Sequence, residues 1–207
     1  MTIKEILQII FILFFAMVVH EYAHAWMANR LGDPTAKLAG RMTLNPLRHI
    51  DPFGTIWLPI ILTALRFMGS PFLPIALAKP VPVNFLRLHN PKRDMIWVGL
   101  AGPAVNIVIA VAISVCFRFG LFAGAQEWLA IALYINLILA VFNMIPIPPL
   151  DGSRLVMGLL PAKIGAQYGR LERYGVLIVF ALLPMGLFHK VVQPISVYCA
   201  YLLGVQF

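Results

Sequence analysis

The sequence has little charge: only 12% of its 207 residues are Asp, Glu, Lys or Arg, where a soluble domain has about 25%. Hydrophobic residue types make up 61% of the chain, which is more apolar surface than one water-facing core of this size can bury. The composition therefore excludes an ordinary soluble globular protein. Several apolar runs approach the roughly 20 residues that a membrane-spanning helix needs, which predicts an integral membrane protein in contact with the lipid bilayer.

Cysteine and acidic residues are also scarce. The two cysteines, Cys116 and Cys199, both lie in apolar runs, so the sequence contains no disulfide framework and no cysteine-based zinc motif. The 8 acidic residues are outnumbered by 16 Lys and Arg, which gives a net charge of +8. The basic residues lie in short stretches between apolar runs and not on one polar face with interleaved aromatics, so no nucleic-acid partner is expected. Their positions bear instead on membrane topology.

Five apolar runs predict full membrane spans, over residues 5–28, 95–117, 127–145, 174–188 and 191–206. The first run also resembles a signal-peptide core followed by a small-x-small cleavage pattern. Its flank is neutral, however, because Glu5 follows Lys4, and the apolar helix continues to Met27. We therefore interpret it as a retained first span, with a cleaved signal peptide as the alternative.

A sixth apolar run, 53–78, is interrupted by Arg66 and by several glycine and proline residues. Because an arginine at mid-bilayer costs at least about 2.5 kcal/mol, a re-entrant hairpin that returns to the same side is favoured over a sixth full span. With the hairpin, twelve of the 16 Lys and Arg residues lie on one side, which the positive-inside rule makes cytoplasmic. This predicts an external N-terminus and a cytoplasmic C-terminus, with a full span over 53–78 as the alternative.

A metal-binding pattern, H-E-x-x-H, lies inside the first span at residues 20–24. Residues four apart share a helix face, so His20 and His24 can bind one Zn²⁺, while Glu21 beside them takes a proton from water. These side chains are costly in a span unless they are functional. The alternative is that the histidines bond to carbonyls and that Glu21 pairs with a basic residue. Since Arg30 marks the cytoplasmic end, the site is expected about 9 to 15 Å below that surface.

A catalytic zinc needs a third protein ligand, for which Asp151 is the best candidate. It is the only acidic residue over 128–171 and it follows an apolar span. The three prolines between 146 and 149 predict extended backbone, which is tolerated at membrane depth only against protein or a water-filled cavity. The alternative is a cytoplasmic turn aspartate. Asn143 lies eight residues earlier in the apolar stretch. An asparagine there usually forms an interhelical hydrogen bond, which is the alternative to a role at the metal site.

Together, H-E-x-x-H and the late stretch Asn143-x-x-Pro146-x-x-Pro149-Leu150-Asp151-Gly152 resemble the site-2 protease family of intramembrane zinc metalloproteases. Stretches at 45–55, 78–84 and 102–106 are also similar to family signatures, so the resemblance covers roughly residues 15 to 155. It implies that His20, His24 and Asp151 bind one zinc, that Glu21 is the general base and that Asn143 holds the substrate or the oxyanion. It also implies short membrane-associated β-strands and a re-entrant loop between the first span and the span that contains Gly102.

The expected fold is an α-helical polytopic membrane protein of about five or six transmembrane helices, with a re-entrant hairpin and short β-strands between the first and second full spans. One intramembrane metalloprotease domain is expected over 1–207, with its core over 5–155 and additional helices over 156–207. This corresponds to a small form of the family, without the PDZ and CBS domains of larger members. The expected location is the cell membrane of a prokaryote, with the active site nearer the cytoplasmic side.

The expected activity is hydrolysis of peptide bonds in or next to transmembrane segments of membrane proteins, either in regulated intramembrane proteolysis or in removal of membrane peptides. A helical substrate must unwind first, and strand edges between residues 36 and 85 would capture it by strand addition. The alternative from another class is a catalytically idle zinc-binding scaffold or a metal transporter. A transporter would spread acidic or histidine residues over several spans, whereas the ligands here converge. His49 and His89 are interpreted as turn or interface residues.

Overall fold

The computed structural model describes residues 3–69 and 79–205, and the regular structure over these ranges is helical. The α-helices found there are α1 (Ile3–Arg30), α2 (Thr35–Leu38), α3 (Leu58–Phe67), α4 (Pro91–Arg118), α5 (Gln126–Asn143), α6 (Gly152–Leu159), α7 (Ala162–Gly169), α8 (Glu172–Leu182) and α9 (Gln193–Leu202). Shorter 3₁₀ turns lie at Pro46–His49, Phe85–Arg87 and Ala123–Ala125, and π-helical turns at Pro52–Trp57 and Phe188–Val192.

Among the described helices, α1, α4 and α5 are long and apolar enough to cross a membrane. They have 28, 28 and 18 residues and so extend about 27 to 42 Å, against about 30 Å for the hydrocarbon core of a bilayer. Large apolar side chains such as Phe11, Phe15 and Val108 are exposed on these helices, as expected where a helix contacts lipid. The prediction of a membrane protein is confirmed.

Helix α4 is the centre of the fold, because it packs against α1, α5 and α6. Its glycines permit the close contacts: a Cβ added to Gly99 would lie 2.8 Å from the Cβ of Arg154 on α6. Further along α4, Ala110 packs with buried residues of α5 and α9, namely Leu133, Leu137 and Ala200. The first half of α4 therefore carries the contacts to α1 and α6, where the metal-binding pattern lies.

Within the described residues, neither of the two C-terminal apolar runs forms a helix long enough to cross a membrane, which corrects the expectation of five full spans. Helix α8 has 11 residues and α9 has 10, the latter preceded by the π-helical turn Phe188–Val192. The chain turns between them over residues 183–186. Pro184 removes a backbone donor there, and Gly186 adopts a left-handed φ of +99° that glycine tolerates best.

The expected β-strands between the first two spans are also wrong for the part of that segment that the structure describes, which contains no strand. The side chains of Asn45 and Asp51 each accept a backbone N–H and start short helical turns. Residues 79–84 have no regular secondary structure, and Pro80 and Pro82 lack the N–H groups that a strand ladder requires.

The structure does not support the expected re-entrant hairpin over 53–78. From Pro52 the chain runs as one continuous helical segment through α3 to Phe67, and Arg66 lies in the last turn of α3. The expected returning limb falls on residues 70–78, outside the described residues. The alternative of a sixth full span is not supported either, because α3 is not among the described helices that are long enough to cross.

Candidate metal centre

Helix α1 places the two histidines of the H-E-x-x-H pattern on its face against α4. His20 is 6% exposed and His24 is 7% exposed, and their Nε2 atoms lie 3.0 Å apart. The space between them is kept free by Gly102 of α4, because a Cβ added there would lie 2.4 Å from His24 Nε2 and 2.5 Å from His20 Nε2. The helix crossing therefore leaves room for a small ion at the two imidazoles.

Asp151 reaches the same point from the other end of the chain, at the start of α6. Residues 144–150 form hydrogen-bonded turns, not the extended backbone expected from the prolines. A Cβ added to Gly152 would lie 2.2 Å from a backbone oxygen of these turns, so α6 begins in close contact with them. As a result, Asp151 Oδ2 lies 3.0 Å from His20 Nε2 and 3.2 Å from His24 Nε2.

The three side chains fit a zinc ion. Ligands about 2.0 Å from a tetrahedral zinc are about 3.3 Å from one another, close to the 3.0 and 3.2 Å separations of these donor atoms. The other nitrogen of each ring has an acceptor: His20 Nδ1 lies 2.5 Å from Asn106 Oδ1, and His24 Nδ1 lies 2.7 Å from the Val98 carbonyl. With Nδ1 donating, each Nε2 presents its lone pair to the shared centre.

The carboxyl group of Asp151 has the charge that a metal ligand requires. Burial raises the pKa of this group, but the neighbouring imidazoles of His24 and His20 lower it by more, so the pKa of Asp151 lies below its ordinary value. Asp151 therefore presents a carboxylate oxygen to the two imidazoles. An arrangement of three electron-rich atoms is stable when a cation lies among them.

A cavity of about 340 Å³ opens at the three ligands and is also lined by Glu21 and Asn143. The carboxylate of Glu21 accepts the backbone N–H of Val81 at 2.8 Å, so the segment 79–84 holds it at the cavity. The amide of Asn143 donates to the Leu139 carbonyl of its own helix at 3.0 Å. This hydrogen bond lies within α5 and is not the interhelical bond considered as the alternative role of Asn143.

Two other histidines lie away from the cluster of His20, His24 and Asp151. His49 is fully buried and its Nε2 lies 2.8 Å from the Thr43 carbonyl, while the ring of His89 packs against Gly32. Their interpretation as turn or interface residues agrees with these contacts.

The structure adds residues that the sequence pattern did not assign to the site: Asn106, Asn136, Gly102 and the Val98 carbonyl. The sequence signal for these residues was the presence of polar and glycine residues inside apolar runs. It does not indicate which neighbouring helix each of them faces, so it could not assign them to the metal site.

Fold and site together define a membrane protein with a zinc site of the metallohydrolase type. The chain is 35% identical over 183 residues to "Putative zinc metalloprotease YwhC" of Bacillus subtilis, which covers 83% of this chain and 78% of that protein. It is 33% identical over 172 residues to "Putative zinc metalloprotease Rip2" of Mycolicibacterium smegmatis, covering 81% of this chain and 63% of that protein. Zinc metalloprotease MJ0392 of Methanocaldococcus jannaschii is 25% identical over 155 residues, covering 74% of this chain and 34% of that protein.

Residues 119–186, which include Asn143 and Asp151, match the model of peptidase family M50. No solved structure matches this chain. The chain belongs to peptidase family M50 and is a zinc metalloprotease. The resemblance to site-2 proteases and the prediction of zinc as the cofactor are therefore confirmed.

Proposed function

We propose that this metalloprotease cleaves peptide bonds in or next to the transmembrane segments of membrane proteins. The observation that carries the proposal is the position of two ligands of the cluster, His20 and His24, inside a membrane-spanning helix, at the crossing of α1 with α4. His24 precedes Arg30 by six residues and His20 by ten, which corresponds to about 9 to 15 Å along the helix axis. A bond hydrolysed there belongs to a segment that has entered the membrane.

His20, His24 and Asp151 hold the zinc in this proposal, and the cavity beside them receives the substrate. Zinc held by these three side chains would supply Lewis-acid chemistry to the scissile carbonyl and to the attacking water. Glu21 accepts a proton from the attacking water and delivers it to the leaving amine nitrogen, the usual role of a glutamate beside two histidine ligands. The Val81 N–H, 2.8 Å from its carboxylate, keeps Glu21 at the cavity before the substrate arrives.

Asn143 is the proposed donor to the scissile carbonyl oxygen. One hydrogen of its amide nitrogen is bound to the Leu139 carbonyl, which fixes the side chain while the second hydrogen remains available to the cavity that Asn143 lines. Removing one such donor lowers turnover by about 10² to 10³ in other hydrolases. The substrate must expose its backbone at this point, so its helix unwinds locally before cleavage.

The proposed orientation places the end of α1 that carries Arg30 at the cytoplasmic face of a prokaryotic cell membrane. His89 N–H donates to the Leu31 carbonyl at 2.9 Å, which brings the C-terminal end of α1 and the N-terminal end of α4 to the same face. The basic residues next to these ends favour the cytoplasm. We also propose that residues 1–207 act as one domain, in which the helices after residue 155 pack on the core.

The proposal is tested with protein reconstituted in lipid vesicles and a set of single-span test peptides. We expect cleavage in or within a few residues of the apolar segment, located by mass spectrometry, and no cleavage after Glu21→Gln although zinc is retained. A soluble peptide with the same scissile sequence serves as the control substrate. Equal cleavage of soluble and membrane-spanning peptides would contradict the intramembrane activity, and bound zinc without any cleavage would favour an idle scaffold.

A further inference from the structure

A chain of hydrogen bonds leads from one zinc ligand through two membrane-spanning helices. His20 Nδ1 lies 2.5 Å from Asn106 Oδ1 of α4. The Asn106 amide nitrogen donates to Asn136 Oδ1 of α5 at 2.8 Å, and the Asn136 amide nitrogen donates to the Ala132 carbonyl at 2.8 Å. Asn106 is 0% exposed and Asn136 is 3% exposed, so both amides are removed from water.

The direction of this chain is fixed at its far end. The Ala132 carbonyl can only accept, so Asn136 must direct its amide nitrogen to it and its oxygen to Asn106. Asn106 must then donate to Asn136 and turn its own oxygen to His20. An amide oxygen can only accept as well, so His20 must carry its proton on Nδ1. The Nε2 lone pair is thereby left for the metal.

The second histidine ligand is oriented differently. His24 Nδ1 lies 2.7 Å from the backbone carbonyl of Val98, and a backbone carbonyl needs no side chain to set its direction. The tautomer of His20, in contrast, depends on two side-chain amides that can each rotate by half a turn. If the Asn106 amide were reversed, its N–H group would face the Nδ1–H of His20. The other tautomer of His20, which carries the proton on Nε2 and cannot bind zinc through that atom, would then be favoured.

We propose that Asn106 and Asn136 are positioning residues that hold His20 in its zinc-binding tautomer. Asn136 thereby affects zinc affinity although it contacts none of the three ligands. This inference rests on the proposed role of His20 as a zinc ligand. Groups that orient metal-bound histidines from the outer shell typically contribute about 10- to 100-fold to metal affinity.

The test measures zinc affinity by competition with a chelator and, separately, the melting temperature of the zinc-free protein. We expect Asn106→Leu and Asn136→Leu, which keep the branching of the asparagine side chain without its hydrogen-bonding atoms, to weaken zinc binding by about 10- to 100-fold. Asn106→Asp should retain zinc, because a carboxylate still accepts the His20 Nδ1 proton. Ser114→Ala is the matched control: Ser114 is buried on α4 and donates to the Leu203 carbonyl at 2.6 Å, so its loss should leave zinc affinity unchanged.

Two outcomes would overturn the positioning role: unchanged zinc affinity in Asn136→Leu, or a loss in Asn106→Asp as large as in Asn106→Leu. The latter would show that an acceptor for the His20 Nδ1 proton at position 106 is not enough to preserve zinc binding. His20→Ala separates this inference from the proposed function. If His20→Ala binds zinc as tightly as the wild type, the ligand assignment fails. If it loses zinc while both Leu variants keep it, only the positioning role fails.

Discussion

At the scale of single residues, the site depends on the absence of a side chain at position 102. A Cβ there would lie 2.4 Å from His24 Nε2 and 2.5 Å from His20 Nε2, close to where the ligand geometry requires the ion. Gly102 is therefore a position at which one methyl group competes directly with the metal.

We predict that Gly102→Ala abolishes zinc retention during purification and destabilises the protein by about 1 to 3 kcal/mol through overpacking. Metal analysis and thermal unfolding of the same preparation check both effects. Gly124→Ala is the control, because a Cβ added at Gly124 meets nothing within 4 Å and zinc should remain bound. Normal zinc content in Gly102→Ala would contradict the geometry described for α4 and α1.

The residues expected to form the metal centre could be predicted because their chemistry is local. H-E-x-x-H puts His20 and His24 on one helix face, and Asp151 stands alone as an acidic residue after an apolar span. The structure brings these three together. Asn136 could not be assigned in this way, because its partner is Asn106 on another helix and the sequence carries no signal for which interface an asparagine faces.

At the scale of secondary-structure elements, the segment that holds Glu21 is anchored by a buried aspartate. Asp33 is 0% exposed and accepts hydrogen bonds from the backbone and hydroxyl of Thr35 and, at 2.6 Å, from the Asn84 N–H. These bonds attach residues 79–84 to the end of α1. Because Asp33 holds this segment in place, the Val81 N–H stays within hydrogen-bond distance of the Glu21 carboxylate.

We predict that Asp33→Asn loosens this segment, because hydrogen bonds to a charged acceptor contribute about 1.5 to 3 kcal/mol each and an amide replaces one acceptor oxygen by a donor. The measurement is the rate of tryptic cleavage after Arg87, which should rise. Asn45→Ala, which removes the exposed side-chain cap of the neighbouring 3₁₀ turn, should leave this rate unchanged. Equal rates in Asp33→Asn and the wild type would show that the anchor lies elsewhere.

The elements that sequence reasoning missed are those that tertiary context decides. The apolar runs over α1, α4 and α5 are long enough that their composition alone predicts spans. In the C-terminal third, composition is equally apolar, but Pro184 and Gly186 divide it into short helices. Between the first two spans, asparagine and aspartate caps compete with strand formation locally, and the family resemblance alone favoured strands there.

At the scale of the whole molecule, the three spans among the described helices are compatible with the sidedness that was expected with five. The ends of α1 and α4 that are joined by the bond from His89 to Leu31 lie at one face, and the loop between α4 and α5 lies at the other. Basic residues lie next to these ends, including Lys37 in α2, just after α1, and Lys92 at the start of α4.

We predict that Lys37→Cys, Lys92→Cys and Arg170→Cys, each in a background without Cys116 and Cys199, are labelled from the cytoplasmic side of intact cells. Gly124→Cys should be labelled from the outside. The positive-inside rule is the physical reason, and a membrane-impermeant maleimide is the probe. Labelling of positions 37 and 92 from opposite sides would require a further crossing between α1 and α4.

The central claim is that the zinc of this metalloprotease is bound by His20, His24 and Asp151, and the zinc content per chain of purified variants tests it most directly. Glu172→Gln is the matched control, because Glu172 is an acidic residue that lines the same cavity and pairs with Arg154 without belonging to the ligand cluster. We predict close to one zinc per chain in the wild type and in Glu172→Gln, and a sharp loss in His24→Ala and in Asp151→Ala. Full zinc occupancy in Asp151→Ala would contradict the account.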